Sequence, residues 1–107
     1  MSKNRRNVYI LHGICDEEEY YSDDHPSPSN HHWIPWIQKQ LVMLGYNCQT
    51  PEVPFSYKGQ WDDWSQTIND LRIDETTTLV GHSCGCGAFV KYRTLNPSVY
   101  SDKLVLV

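Results

Sequence analysis

One short run of residues constrains this chain most: a serine set between two glycines, where an apolar stretch passes into a helix-forming one. The run Gly81-His82-Ser83-Cys84-Gly85 has the pattern G-x-S-x-G and follows Thr78-Leu79-Val80. Between a strand and a helix, this pattern is typical of a sharp, strained turn that exposes the serine hydroxyl for attack on an acyl group. The alternative interpretation is a glycine-rich turn that only caps the following helix. The sequence favours Ser83 as a nucleophile.

The residues after Ser83 lack the usual partners of such a nucleophile. A serine in this kind of turn works with a histidine base and an acidic residue that both follow it in the chain. No histidine follows Ser83 in the 107 residues, and Asp102 is the only acidic residue there. His25, His31 and His32 precede it, and their positions in a loop and at a helix start make them poor candidates for the base. We therefore expect the chain alone to be a weak catalyst.

Composition indicates one small packed domain spanning residues 1–107. Hydrophobic residues make up 39% of the chain and charged residues 21%, which suits a globular core. The net charge of −4 argues against a nucleic-acid partner. The sequence has neither an apolar stretch long enough to span a membrane nor the core of a signal peptide. We expect a cytosolic protein without a membrane partner.

The four cysteines predict reduced thiols rather than a disulfide framework, because a cytosolic protein keeps its cysteines reduced. They are Cys15, Cys48, Cys84 and Cys86. His82 lies near Cys84 and Cys86, but the spacing is not that of a zinc site and no second ligand pair follows. The sequence therefore predicts neither a metal nor a cofactor.

Strand-like and helix-like segments alternate along the chain. Residues between Ile14 and His31 are polar and acidic and predict a long loop. The segments in order are a strand at Val8–Leu11, a helix at His32–Leu44, a weak strand at 46–50, a helix at Trp61–Arg72, a strand at Thr76–Val80, a helix after Ser83, and a strand at Leu104–Val107. Such alternation predicts an α/β fold in three layers, α/β/α, around a parallel sheet.

Two backbone N–H groups are the predicted donors to an oxyanion formed at Ser83. In this architecture one donor is the residue after the nucleophile, here Cys84, and the other lies in a loop after an earlier strand. His12 and Gly13 close the first strand at that place, so the Ile14 N–H is the expected second donor. The tryptophans are expected in the core, with Trp33 or Trp36 as the alternative wall of an acyl pocket.

Several of these segments together resemble a known family. The runs Val8-Tyr9-Ile10-Leu11-His12-Gly13, Trp33-Ile34-Pro35-Trp36, Leu79-Val80-Gly81-His82-Ser83-Cys84-Gly85 and Lys103-Leu104-Val105-Leu106-Val107 are similar to small α/β-hydrolases related to retinoblastoma-binding protein nine. The resemblance covers about the N-terminal half of such a hydrolase. It implies a sheet in the order 2-1-3-4 and a serine hydrolase acting on carboxylic esters or related small acyl compounds. It also implies that the triad acid and histidine come from later strands.

Two further expectations follow from the missing triad partners and from the last strand. The alternative function is a truncated, catalytically weak or inactive hydrolase-like domain that binds a small ligand or a protein partner through the same pocket. The last strand, Leu104–Val107, would present an unpaired apolar edge, and such edges pair with other chains. We therefore expect self-association, or a partner that completes the edge of the sheet.

Overall fold

A parallel sheet of four strands forms the centre of the fold in the computed structural model, which describes residues 6–107. Its strands are β1 (Asn7–Leu11), β2 (Asn47–Gln49), β3 (Thr78–Gly81) and β4 (Lys103–Leu106). They lie in the order β2-β1-β3-β4, and all three pairings are parallel. This arrangement confirms the predicted fold class and strand order.

Strand β1 is central and is covered on both faces. Its last four residues, from Val8 to Leu11, are all buried, which is the pattern expected of a parallel strand between two helical layers. Tyr9 and Leu11 belong to one hydrophobic cluster, whereas Val8 and Ile10 belong to another. Since side chains alternate across a strand, the two clusters occupy opposite faces of the sheet.

Four α-helices within residues 6–107 complete the layers. They are α1 (Glu17–Tyr21), α2 (Ile34–Met43), α3 (Trp61–Asn69) and α4 (Cys84–Leu95). Helix α2 packs Ile34 into the cluster that contains Val8, while α3 and α4 pack Trp64 and Phe89 into the cluster that contains Tyr9. Among residues 6–107, the helices are all too short or too polar to cross a membrane.

Helix α1 corrects the prediction of an unbroken loop between Ile14 and His31. Asp16 caps it by accepting a hydrogen bond from the Glu19 N–H at 2.8 Å, and three glutamates in its first turn complement the helix dipole. Tyr20 and Tyr21 then pack on the ring of Tyr57, with centroids 5.0 and 5.6 Å away. A short 3-10 turn at Pro28–Asn30 adds further structure to the segment.

Candidate active site

The backbone of Ser83 adopts a conformation that a residue with a side chain rarely occupies. Ser83 joins β3 to α4 with φ 55° and ψ −117°. It stands at the N-cap of α4, yet its side chain makes no capping hydrogen bond. A serine at the N-cap usually accepts a hydrogen bond from the helix backbone. The exposed hydroxyl of Ser83 makes no such bond and is free for another role. The capping alternative drawn from the sequence is not the geometry of this turn.

Glycines allow the Ser83 turn to press against the end of β1. A Cβ at Gly85 would overlap the backbone oxygen of Leu11 and lie 2.8 Å from that of His12. A Cβ at Gly81 would lie 2.7 Å from the backbone nitrogen of Cys86. Both contacts are closer than real Cβ atoms approach, so the first and last positions of the G-x-S-x-G pattern require glycine for packing.

Hydrogen bonds from both neighbouring strands hold the turn in place. The His82 N–H donates to the Leu11 carbonyl at 3.0 Å, which ties the turn to β1. The Ser83 N–H donates to the Val107 carbonyl at 3.0 Å, and the Val107 N–H donates to the Gly81 carbonyl at 2.9 Å. Ser83 is therefore fixed at the carboxyl ends of β1, β3 and β4, where open α/β sheets place their sites.

His12 is fully buried, and both of its ring nitrogens are engaged. The Val53 N–H donates to Nε2 at 2.9 Å, so the ring proton lies on Nδ1, which donates to the Gly13 carbonyl at 2.6 Å. Oε2 of Glu52 also lies 3.3 Å from Nε2, but a nitrogen that accepts an N–H has no proton to share with a carboxylate. We assign the shorter Val53 contact as the hydrogen bond. His12 thus positions the loop after β1 and is not available as a base for Ser83.

The bond from His12 fixes the orientation of the peptide between Gly13 and Ile14. In a trans peptide the C=O and the N–H point in opposite directions, so the Ile14 N–H points away from the His12 ring. Within residues 6–107, neither the Ile14 N–H nor the Cys84 N–H donates a hydrogen bond to another group of the chain. Ile14 and Cys84 also line the same groove. Their role as oxyanion donors stays a prediction.

A polar cavity of about 140 Å³ lies beside Ser83. Gly13, Ile14 and Ser83 form one side, and Glu19 from α1 contributes a carboxylate. Imidazoles from three separate segments complete the lining: His25, His31, His32 and His82. Sequence reasoning did not find this histidine cluster, because its members are brought together only by the folding of the segment before α2 over the Ser83 turn.

The imidazoles of the cavity contact one another. His31 stacks on His32 with centroids 4.0 Å apart, and His32 lies 5.7 Å from His82. Burial, followed by the proximity of His32, lowers the pKa of His82 below the ordinary histidine value of 6.5. His82 is therefore predominantly neutral at neutral pH.

Cys15 is the thiol that lines the cavity. Burial raises its pKa above the ordinary value of 9.0, and the carboxylates of Glu19, Asp16 and Glu52 add to the effect. A protonated thiol is a weak nucleophile, so Cys15 does not compete with Ser83. No set of three or more His, Cys, Asp or Glu side chains in the described part of the chain is arranged to hold a metal ion.

The two tryptophans predicted as pocket walls have different surroundings. Trp33 meets His82 edge-on with centroids 5.2 Å apart, so it supports the Ser83 turn from behind the cavity. Trp36 is 65% exposed and lines neither the cavity nor the groove. Helix α2, which Trp33 precedes as the N-cap residue, turns Trp36 to solvent, whereas Trp64 takes the core position expected of a tryptophan.

Asp102 lies too far along the strands to serve Ser83. Its N–H donates to the Thr77 carbonyl, directly before the start of β3, whereas Ser83 follows the end of that strand. Its carboxylate pairs with Lys103 at 3.0 Å and with Arg6 at 3.2 Å. Lys103, with Arg6 as a smaller cause, lowers the pKa of Asp102 below 3.8. This carboxylate is engaged at the opposite end of the sheet.

Comparisons with known proteins agree with this architecture. A family model for serine hydrolases matches residues 25–105. The YdeN protein of Bacillus subtilis is 29% identical over 89 residues, which are 81% of this chain and 41% of YdeN. Serine hydrolase RBBP9 of Rattus norvegicus is 30% identical over 81 residues, which are 74% of this chain and 42% of that protein.

A solved structure shares the fold. The crystal structure of the ydeN gene product from B. subtilis has a TM-score of 0.73 to this chain at 26% sequence identity. The match covers 94% of this chain and 50% of that one. This chain therefore spans half of the solved structure, 41% of YdeN and 42% of RBBP9.

Proposed function

The chain belongs to the serine hydrolase family, and from this premise we propose that it acts on carboxylic esters or related small acyl compounds with Ser83 as the nucleophile. The observation that carries the proposal is the Ser83 turn itself. A strained backbone at φ 55° with an uncapped, exposed hydroxyl costs stability, and such strain is retained where a reactive group must be presented. We place the reaction in the cytosol, as the sequence suggests.

The proposed reaction begins with attack by Ser83 Oγ on the acyl carbon. A bond forms between Oγ and carbon, the Oγ proton passes to a base, and the carbonyl oxygen becomes an oxyanion. The N–H groups of Ile14 and Cys84 would donate to that oxyanion. Cys84 adds the favourable field of the α4 N-terminus, since it is the first residue of a 12-residue helix. The base then gives its proton to the leaving group as the bond to the acyl carbon breaks. Water adds to the acyl-serine ester, which releases the carboxylic acid and restores the Ser83 hydroxyl.

The identity of the base decides how fast this reaction runs. His12 is excluded by its two hydrogen bonds, and no histidine follows Ser83 in the sequence. Enzymes that lose a triad member keep a residual acceleration of roughly 10³–10⁴ over water from the oxyanion hole and binding. We expect the 107-residue chain to work at that residual level.

A second candidate function is a ligand-binding domain of hydrolase ancestry. The engagement of Asp102 with Lys103 and Arg6 favours it, because this carboxylate lies at the opposite end of the sheet and cannot orient a base at Ser83. In this second function, the cavity beside Ser83 binds a small ligand or a segment of a protein partner and does not catalyse its hydrolysis.

Labelling with a fluorophosphonate probe separates the two functions. Slow labelling that Ser83→Ala abolishes supports the nucleophile and the residual level of activity. Absence of labelling at high probe concentration, with binding of ligands retained, would favour the binding domain. Fast labelling would reveal a base among the cavity imidazoles, and replacing each of the four with glutamine in turn would then identify it.

A further inference from the structure

A groove between α3 and α4 lies next to the site, shares Ile14 with the polar cavity and is lined by none of the imidazoles. It has a volume of about 260 Å³. Trp61 and Trp64 from α3 form one wall, and Ala88 with the backbone of Gly87 forms the other. We call this feature the α3–α4 groove.

The groove begins at the candidate oxyanion donors. Ile14 lines both the groove and the polar cavity, and Cys84, the neighbour of Ser83, lines the groove. The α4 residues that line it are Cys84, Gly87, Ala88 and Lys91. Their spacing of three and four places them on one helix face. At a rise of 1.5 Å per residue, this face extends about 10 Å from the Ser83 turn.

The chemistry of the groove contrasts with that of the cavity. Its walls are two indole rings, the side chains of Ile14 and Ala88, and an open floor at Gly87, where an added Cβ would meet no atom within 4 Å. Its far end is marked by Lys91, whose Nζ lies 4.5 Å from the ring centroid of Trp61. The polar cavity beside Ser83 is lined by imidazoles and a glutamate. An acyl compound bound at Ser83 therefore has an apolar groove and a polar cavity as its two neighbouring surfaces.

We propose that the α3–α4 groove binds the apolar acyl group of the substrate, a hydrocarbon or aryl group about 10 Å long, while the leaving group lies in the polar cavity. The proposal rests on the proposed function of Ser83. Burial of each methylene in the groove should tighten binding about fourfold, until the group reaches Lys91.

Neutral acyl amides test the groove without depending on catalysis. Octanamide and acetamide carry no charge for Lys91 to attract, and Trp61 and Trp64 report binding through their fluorescence. We expect octanamide to bind at least about tenfold more tightly than acetamide, and to perturb the amide NMR signals of Gly87 and Ala88. Equal binding of the two amides would overturn the proposal.

Gly87→Leu supplies the structural test, because Gly87 lines the groove and a Cβ added there meets no atom within 4 Å. It should weaken octanamide binding about tenfold or more. The matched control is Val90→Leu, which places the same side chain on an exposed position of α4 outside the groove. Unchanged octanamide affinity in Gly87→Leu would also overturn the proposal.

Ser83→Ala separates this inference from the proposed function. Octanamide should still bind this variant within about threefold, since the groove contacts lie on α3 and α4. If octanamide binds as expected but no fluorophosphonate labels Ser83, the groove stands and the hydrolase proposal fails. If Ser83 is labelled but octanamide does not bind, the groove fails and the hydrolase proposal stands.

Discussion

Gly13 lies so close to Ser83 that a Cβ on Gly13 would sit 3.0 Å from the Cβ of Ser83 and 3.5 Å from its Oγ. These two residues are far apart in the sequence, since Gly13 follows β1 and Ser83 follows β3. Their contact joins the loop that carries the Ile14 N–H to the turn that carries the hydroxyl. The spacing between the candidate nucleophile and one candidate donor is therefore set by the absence of a single methyl group.

Gly13→Ala should lower the reactivity of Ser83 more than it lowers stability. The added methyl must move either the loop or the serine by a few tenths of an ångström, at a cost of about 1 kcal/mol of unfolding free energy. A displacement of this kind at a reacting group should slow fluorophosphonate labelling about tenfold. Urea denaturation and labelling rates measure the two effects. Labelling at the wild-type rate would show that the contact does not set the geometry.

Ser83→Gly and Ser83→Ala should differ in stability although both remove the hydroxyl. Alanine keeps the Cβ in the strained conformation at φ 55° and ψ −117°, whereas glycine relieves it. After allowing for the greater chain entropy of glycine, we expect Ser83→Gly to be more stable than Ser83→Ala by about 1 kcal/mol. Thermal or urea unfolding of the two proteins gives the difference. Equal stabilities would mean that the turn stores no strain.

Two glycines of α4 should respond in opposite ways to alanine. The Cβ of Gly87→Ala would meet open space, so the gain in helix propensity should stabilise the fold by about 0.5–1 kcal/mol. The Cβ of Gly85→Ala would overlap the Leu11 carbonyl and push α4 away from β1, with a loss of at least about 1–3 kcal/mol. The paired measurement is the shift in the urea midpoint. A stable Gly85→Ala variant would contradict the close packing of this helix on β1.

The pKa of His82 predicts how stability varies with pH. Because burial lowers this pKa in the folded state, the unfolded chain binds more protons at His82 as the pH falls through 6.5. His82 therefore contributes to the free energy of unfolding above pH 6.5. This contribution is lost as the pH falls from 6.5 towards the lower pKa of His82 in the folded state.

The variant His82→Gln should reduce the loss of stability between about pH 7.5 and about pH 5.5. Urea denaturation at the two pH values measures it. His25→Gln, at an exposed position of the loop, is the control for loss of any histidine. An identical pH slope in wild type and His82→Gln would contradict the burial of His82 as a cause of acid sensitivity.

The edge of β4 predicts association of the chain. β4 pairs with β3 on one side, and its residues Val105 and Leu106 are 42% and 52% exposed. A lysine at an edge position opposes pairing with another chain, so Leu106→Lys should reduce concentration-dependent association in analytical ultracentrifugation. Gln49→Lys on β2, the polar edge of the same sheet, is the matched control. A wild-type chain that stays monomeric at high concentration would contradict the prediction.

The sheet and the Ser83 turn could be predicted because their signals are local. Strands β1, β3 and β4 contain short apolar runs, whereas β2 (Asn47–Gln49) is polar apart from Cys48 and gave only a weak signal. The alternation with helices predicts parallel pairing, and the resemblance supplied the strand order. The turn is marked by two glycines with close contacts. Gly81 lies against the backbone of Cys86, a few residues away, and Gly85 lies against the backbone of Leu11 at the end of the neighbouring strand.

The surroundings of the turn could not be read from the sequence, because they depend on distant contacts. Helix α1 lacks an apolar periodicity and is held by the packing of Tyr20 and Tyr21 against Tyr57. The local signal for this helix is the pair Asp16 and Glu19, whose spacing is typical of a helix N-terminus. The exposure of Trp36 depends on the orientation of α2, which periodicity alone does not fix. The α3–α4 groove had a weak signal, the small residues Gly87 and Ala88 at helical spacing from Cys84.

The position of β1 between β2 and β3 has a consequence for synthesis of the chain. β1 can pair with β2 as soon as residue 49 is available, but its other neighbour, β3, is complete only at Gly81. At the usual 5–20 residues per second, the second edge of β1 stays without a strand partner for roughly 2–6 s. During this interval an apolar edge is open to other nascent chains, so a ribosome pause between Pro51 and Thr78 would favour misassembly, whereas rapid translation of this stretch would favour the native sheet.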